Sequence, residues 1–188
     1  EITRLGVMGG TFNPIHLGHL MIAEEARQAF HLKKVLFVPS YITPNKDVCG
    51  ATAEQRLAMT RLATADNPYF TVSDMEMRRQ GNSYTVDTLR LLKEIYGPSH
   101  SLYFISGTDT IHDLHNWNNP EEILSLCQFI GATRPDGSEQ IDSIISSFGR
   151  AGEKHSQTAG PERWKSLRQN SGAAFAWALS VRYMMPFG

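Results

Sequence analysis

Apolar residues along the first two thirds of the chain fall into two alternating patterns. Residues 5–8 form a short apolar run closed by Gly9-Gly10, and residues 17–30 then carry Leu17, Leu20, Met21, Ala23, Ala26 and Phe30 at helical spacing. The order strand, glycine loop, helix follows. Val35-Leu36-Phe37-Val38 is apolar at every position and stops at Pro39, as a strand buried on both faces does, so a βαβ unit is complete by residue 38. The helical spacing returns over 53–65. Residues 70–77 alternate loosely like a strand, and 85–96 are helical after the turn-rich Gln80-Gly81-Asn82-Ser83. Leu102-Tyr103-Phe104-Ile105 and Phe129-Ile130-Gly131-Ala132 add two more apolar strands. Strands alternating with helices of this length predict an α/β chain: a Rossmann-like, doubly wound parallel sheet with right-handed crossovers, followed by a small C-terminal helical part.

The pattern fades after residue 136. Residues 136–179 are rich in Ser, Gly, Gln and Arg and show neither a clean strand nor a well-capped helix. The expected organisation is one domain over 1–188, with a core over 1–135 and an atypical region over 136–188. At 188 residues and 41% hydrophobic content the chain is large enough to bury one core. With 18 basic against 19 acidic residues, the net charge of −1 lacks the footprint of a duplex nucleic-acid or membrane-surface binder, so a small-molecule partner is expected. Whether the chain forms a homo-oligomer is left open. Cys49 and Cys127 are far apart and lack metal-type spacing, which suits a reducing, cytoplasmic setting. Neither a signal peptide nor an apolar run of roughly 18 residues is expected.

The most informative run is Gly9-Gly10-Thr11-Phe12-Asn13-Pro14-Ile15-His16-Leu17-Gly18-His19. Glycines leaving a strand let backbone approach a ligand, and the helix N-terminus that follows offers free N–H groups and the positive end of its dipole to phosphate. His16 and His19 stand three residues apart near that end, so both can face the same phosphates, and Gly18 between them keeps the helix surface flat. This suits phosphoryl or nucleotidyl transfer, in which the protein aligns two phosphates and stabilises charge without supplying a nucleophile. The same histidine pair could ligate a metal, but catalytic zinc normally needs a third protein ligand. His31, His100, His112, His115 and His155 show no pairing that supplies one convincingly; no protein-held metal is expected.

That run resembles the signature of nucleotidyltransferases with the His-x-Gly-His motif, and the chain over roughly 4–135 is similar to bacterial nicotinate-nucleotide adenylyltransferases. Further local matches in order are Val38-Pro39-Ser40, Pro44-Asn45-Lys46, Arg56-Leu57-Ala58-Met59, Ser83-Tyr84-Thr85-Val86-Asp87-Thr88, Ser106-Gly107-Thr108-Asp109, Trp117 and Thr133-Arg134-Pro135. The resemblance implies adenylyl transfer from ATP to nicotinate mononucleotide in NAD biosynthesis, with Mg²⁺ accompanying ATP. It implies His16, His19 and Lys46 as catalytic groups, although the family usually has His where Asn45 stands here. It implies Gly9, Gly10, Thr11, Phe12, Gly18, Ile105, Gly107 and Asp109 at the ATP site, and Tyr84, Thr85, Trp117 and Arg134 at the acceptor site. Outside that context Trp117 reads as packing, Lys46 as a loop cation and Asp109 as a helix cap.

The resemblance breaks late in the chain. The family's Ile-Ser-Ser-Thr-x-x-Arg motif, which helps grip the ATP phosphates, is expected shortly before a segment like Ser180-Val181-Arg182-Tyr183-Met184-Met185-Pro186. Here residues 166–179 do not match it, and Ile145-Ser146-Ser147-Phe148-Gly149-Arg150 has its Arg one residue too close. A good match on both sides of an unmatched block leads to the expectation that roughly 154–179 derive from a shifted reading frame or similar disruption, with the frame restored near Ser180. Its consequence would be a weakened ATP grip, which argues for one alternative, a nucleotide binder without useful catalysis; the other, a sister adenylyltransferase acting on phosphopantetheine, would share the His16/His19 site.

Overall fold

A computed structural model describes residues 2–44, 49–107, 110, 113–133, 152–159, 162–169 and 175–180. The chain runs β1 (Thr3–Gly10), α1 (Leu17–Ala29), β2 (Lys34–Pro39), α2 (Ala53–Thr64), β3 (Phe70–Val72), α3 (Met75–Arg79), α4 (Thr85–Tyr96), β4 (His100–Gly107), α5 (Pro120–Leu126) and β5 (Gln128–Thr133). Parallel pairing sets the order β3-β2-β1-β4-β5.

The continuous apolar strands are buried on both sides, and their period of two sorts the side chains into two cores. Leu5, Val7, Leu36, Val38, Leu102, Phe104 and Phe129 point to one face, where Val86, Leu89 and Leu92 of α4 and Ile123 of α5 cover them. Met8, Val35, Phe37, Tyr103, Ile105 and Ile130 point to the other, beneath Ala23 and Ala26 of α1. The alanines, with buried Gly18, keep α1 thin on its sheet side. The chain leaves β1 toward β2 on one side and later returns to place β4 on the other. The boundary between β1 and β4 is therefore the point at which the strand order reverses, and ligands of open α/β sheets bind outside the carboxyl ends of the strands there.

Two expectations are corrected. The strand predicted over 70–77 ends at Val72, and Met75–Arg79 is a helical turn. Ser73 Oγ accepts the Met75 N–H at 3.3 Å, and Asp74 pairs with Arg78 at 2.7 Å one turn on, so local polar bonds outcompete the ladder. The expected C-terminal helical part is replaced, among the described residues, by β6 (Gly152–Ala159), β7 (Glu162–Gln169) and β8 (Phe175–Ser180). β8 pairs parallel to β5, and β7 and β6 follow antiparallel. Residues 152–159 and 162–169 have no apolar stripe at helical spacing to bury against the sheet, whereas pairing with β6 and β8 meets the backbone groups of β7, and pairing with β7 those on the inner side of β6, without one. No helix among the described residues is long and apolar enough to cross a membrane.

Candidate active site

The loop from β1 to α1 is built around a ring that glycine admits. Phe12 is only 4% exposed, has φ 47°, and packs edge-on against His19 with ring centroids 5.2 Å apart. A Cβ on Gly10 would lie 3.2 Å from the Phe12 ring, so the absence of a side chain there lets Phe12 seat under the loop. His16 then caps α1 in extended conformation, φ −144° and ψ 171°, and its carbonyl takes the His19 N–H at 3.0 Å.

The three-residue spacing of the histidines brings their rings into contact, with centroids 3.8 Å apart and planes 33° from parallel. The His16 backbone N–H donates to Nδ1 of His19 at 3.2 Å. A ring that accepts on Nδ1 carries its proton on Nε2 when neutral, so His19 presents an N–H donor from its other edge. Burial, and secondly the His16 ring, lower the His19 pKa to about 4. The ring is therefore neutral near pH 7 and becomes a fixed dipole at the positive end of α1.

Behind this loop lies a polar brace. Ser40 donates its N–H to the Gly10 carbonyl at 2.9 Å, and Thr43 Oγ1 is 2.8 Å from Thr11 Oγ1 and 2.7 Å from Ser40 Oγ. Arg56 of α2, 2% exposed, donates from one guanidinium nitrogen to the Thr11 carbonyl at 2.6 Å and from another to the Tyr41 carbonyl at 3.0 Å. The Tyr41 N–H donates to Ser83 Oγ at 2.9 Å, and the Ser83 N–H to the Ile42 carbonyl at 2.9 Å. Beside it, Thr88 Oγ1 donates to the buried Glu76 carboxylate at 2.6 Å; burial raises the Glu76 pKa against the hydrogen bonds from Ser83 and Thr88.

On the other face, Tyr84 caps α4 in extended conformation and Thr85 is its first residue, so the free amides of the first turn open at the same end of the sheet. Trp117 stands edge-on to Phe104, with centroids 6.0 Å apart at 82°, and both Tyr84 and Trp117 pack half-buried against the α4-side core. A Cβ on Gly9 would lie 3.4 Å from the Phe104 ring, so that ring sits between the glycine loop and Trp117. Gly107 ends β4, and among the described residues nothing lies within 4 Å of where its Cβ would stand.

The structure thus gathers Gly9, Gly10, Thr11, Phe12, His16, Gly18 and His19 around one loop, and sets Tyr84, Thr85 and Trp117 over the opposite face. Ile105 is fully buried in the α1-side core, so only its backbone is available to a ligand. Lys46, Asp109 and Arg134 lie outside the described residues. Sequence reasoning met Arg56 only inside a motif match and Ser83 only as part of the Ser83-Tyr84-Thr85 turn on the acceptor side, and gave no role to Thr43 or Glu76. The inward face of α2 reads Arg56, Leu57, Thr60, Thr64, and a line of polar residues at four-residue spacing on a core helix was the available signal.

A parallel sheet whose switch point faces a glycine loop and a helix N-terminus with two imidazoles defines an α/β protein of nucleotide-handling type. The chain belongs to the cytidylyltransferase-like family, whose model matches residues 7–171. It is 53% identical over 133 residues to the probable nicotinate-nucleotide adenylyltransferase of Moorella thermoacetica, covering 70% of this chain and 61% of that protein. It is 48% identical over 152 residues to the protein of the same name from Thermoanaerobacter sp., covering 78% of this chain and 72% of that one. The chain thus matches about three fifths of the length of the Moorella relative. In shape it is similar to Plasmodium falciparum nicotinic acid mononucleotide adenylyltransferase complexed with NaAD, at TM-score 0.67 and 16% identity, covering 98% of this chain and 77% of that chain. A putative nicotinate-nucleotide adenylyltransferase from Vibrio parahaemolyticus matches at TM-score 0.58 and 23% identity, covering 69% of this chain and 77% of that chain. These likenesses concern the fold.

Proposed function

We propose that the chain transfers the adenylyl group of ATP to nicotinate mononucleotide, releasing pyrophosphate and forming nicotinate adenine dinucleotide for NAD biosynthesis. The observation that carries this reading is the contact pair His16–His19 at the N-terminus of α1, beside a glycine loop at the β1/β4 switch point. The names of relatives near 50% identity support the acceptor.

In this reading an oxygen of the acceptor's phosphate attacks the α-phosphorus of ATP in line, and the bond to the β-phosphate oxygen breaks, with no covalent enzyme intermediate. Gly9, Gly10 and Thr11 bring backbone against the triphosphate, and the α1 dipole stabilises its charge. His19 donates from Nε2 to the phosphate oxygens, and His16 joins it from the adjacent ring. The space above Gly107 suits the adenosine ribose. Thr85 and Tyr84 at the start of α4, together with the Trp117 ring, hold the nicotinate ring. Lys46, Asp109 and Arg134 enter through the family resemblance alone.

Among the described residues no group of three or more His, Cys, Asp or Glu could hold a metal ion. The donors at the site are imidazoles, hydroxyls and amides, so Mg²⁺ fits as an ion carried by the triphosphate oxygens and water, where it neutralises phosphate charge. Cys49 and Cys127 are both free thiols, which suits cytoplasmic metabolism.

The unmatched late phosphate-gripping motif favours a second reading, a nucleotide binder without useful turnover. Pyrophosphate release with ATP, Mg²⁺ and nicotinate mononucleotide, run beside nicotinamide mononucleotide and phosphopantetheine, separates them. Release with the nicotinate acceptor alone supports the first reading. ATP binding without release for any acceptor supports the second, and release with phosphopantetheine alone reassigns the acceptor.

A further inference from the structure

The loop that receives ATP and the loop that opens α4 belong to opposite faces of the sheet, yet they are tied through one short segment, residues 40–43. Its Ser40 and Thr43 hold Gly10 and Thr11, and its Tyr41 and Ile42 hold Ser83 in both directions. Ile42 also bridges to Asn82. Arg56 lies under this segment and grips both sides of the junction at once, the Thr11 carbonyl at 2.6 Å and the Tyr41 carbonyl at 3.0 Å.

Burying a guanidinium is costly, and an apolar residue of similar volume often serves a core as well or better. For Arg56 the two carbonyls and the nearby Glu54 and Glu76 carboxylates offset only part of that cost: it is 2% exposed, and among the described residues its Nε is buried without a hydrogen-bond partner. What the guanidinium offers is geometry. Its planar fork presents several donors at fixed angles, so two carbonyls from two different loops are held in one register. Lysine keeps the charge but has no fork.

We infer that Arg56 is a positioning residue for the transfer proposed above, an inference that rests on that reading: it fixes the phosphate loop against the acceptor-side loop so that the two reacting phosphates meet in line. The group is too deeply buried to touch substrate, so its effect passes through Thr11 and Tyr41. In-line transfer loses rate steeply when the reacting groups are misplaced by even an ångström.

The test compares wild type, Arg56→Lys and Arg56→Met in steady-state pyrophosphate release, with the folded fraction of each sample taken from urea unfolding. Both variants are expected to lose about tenfold or more in kcat per folded molecule, while the KM values for ATP and nicotinate mononucleotide stay within about threefold. Ser83→Ala, which cuts the same brace at its far end and leaves Arg56 in place, is expected to lower kcat by about threefold or more. Wild-type kcat in Arg56→Lys would reduce the role to charge and overturn the inference. Activity lost only in proportion to the folded fraction would reduce it to structure and also overturn it. An inactive wild type is the separate failure of the adenylyl-transfer reading, and the inference falls with it.

Discussion

Nδ1 of His19 accepts the backbone N–H of His16 at 3.2 Å, so the residue that caps α1 also fixes which edge of its neighbour's ring can donate to a ligand. In the proposed adenylyl transfer, His19→Ala removes that donor where charge develops at the α-phosphate and the leaving pyrophosphate. The expected result is a fall in kcat of about a hundredfold or more, with little change in the KM for ATP, because the interaction strengthens in the transition state. Steady-state kinetics on the purified variant checks it, and a pure KM effect would assign His19 to ground-state binding.

The same burial makes the fold sensitive to acid. The His19 pKa is about 4 in the folded chain against 6.5 for a free imidazole side chain. Between those values the unfolded state holds more protons, so the contribution of this ring to stability is full above pH 6.5 and declines as pH falls toward 4. Urea midpoints measured across that window should fall less steeply for His19→Gln than for wild type.

Gly10→Ala places a methyl group 3.2 Å from the Phe12 ring, which itself rests on His19. The ring must shift, and the expected outcome is a loss of about tenfold in kcat. The loss of stability should be only about 1 kcal/mol or less, since the obstacle is the far end of one side chain. Thermal unfolding beside kinetics separates the two effects.

Trp117→Ala removes the edge-on contact with Phe104 and, in the proposed reading, the flat face that meets the pyridine ring. The KM for nicotinate mononucleotide should rise about tenfold while the KM for ATP holds, and the aromatic pair should account for about 1 kcal/mol of stability. Trp117→Phe should recover most of both, whereas an equal rise in both KM values would argue against an acceptor role.

Thr52→Ala probes α2 alone. Thr52 Oγ1 accepts the Gln55 N–H at 3.2 Å, and the Thr52 N–H donates to Gln55 Oε1 at 2.9 Å. Its loss should cost about 1 kcal/mol in urea unfolding. Because α2 also carries Arg56, any kcat effect beyond the loss of folded protein would show that the brace depends on how firmly the helix starts.

The strands over 5–8, 35–38, 102–105 and 129–132 were legible because the two-sided burial of a parallel sheet leaves few polar residues in them. The helices over α1, α2 and α4 were legible because their apolar residues recur every three or four positions. Residues 70–77 misled because the alternation outran the helix-start signal of Ser73-Asp74. The His16–His19 contact followed from spacing on a single helix turn. Arg56 did not, since spacing cannot say which polar residue a core helix turns inward, nor that two carbonyls 30 positions apart, those of Thr11 and Tyr41, meet around it. The late region defeated both kinds of pattern, having neither alternation nor a helical stripe.

The division of the site between the two faces of the sheet has a consequence for specificity. In the proposed reading, residues 9–19 grip the triphosphate as one unbroken stretch on the α1 face, whereas Tyr84, Thr85 and Trp117 meet the acceptor from separate pieces on the α4 face. On that reading, exchanging those pieces is expected to change acceptor preference with the 9–19 stretch left untouched, provided Ser83 remains to receive Tyr41.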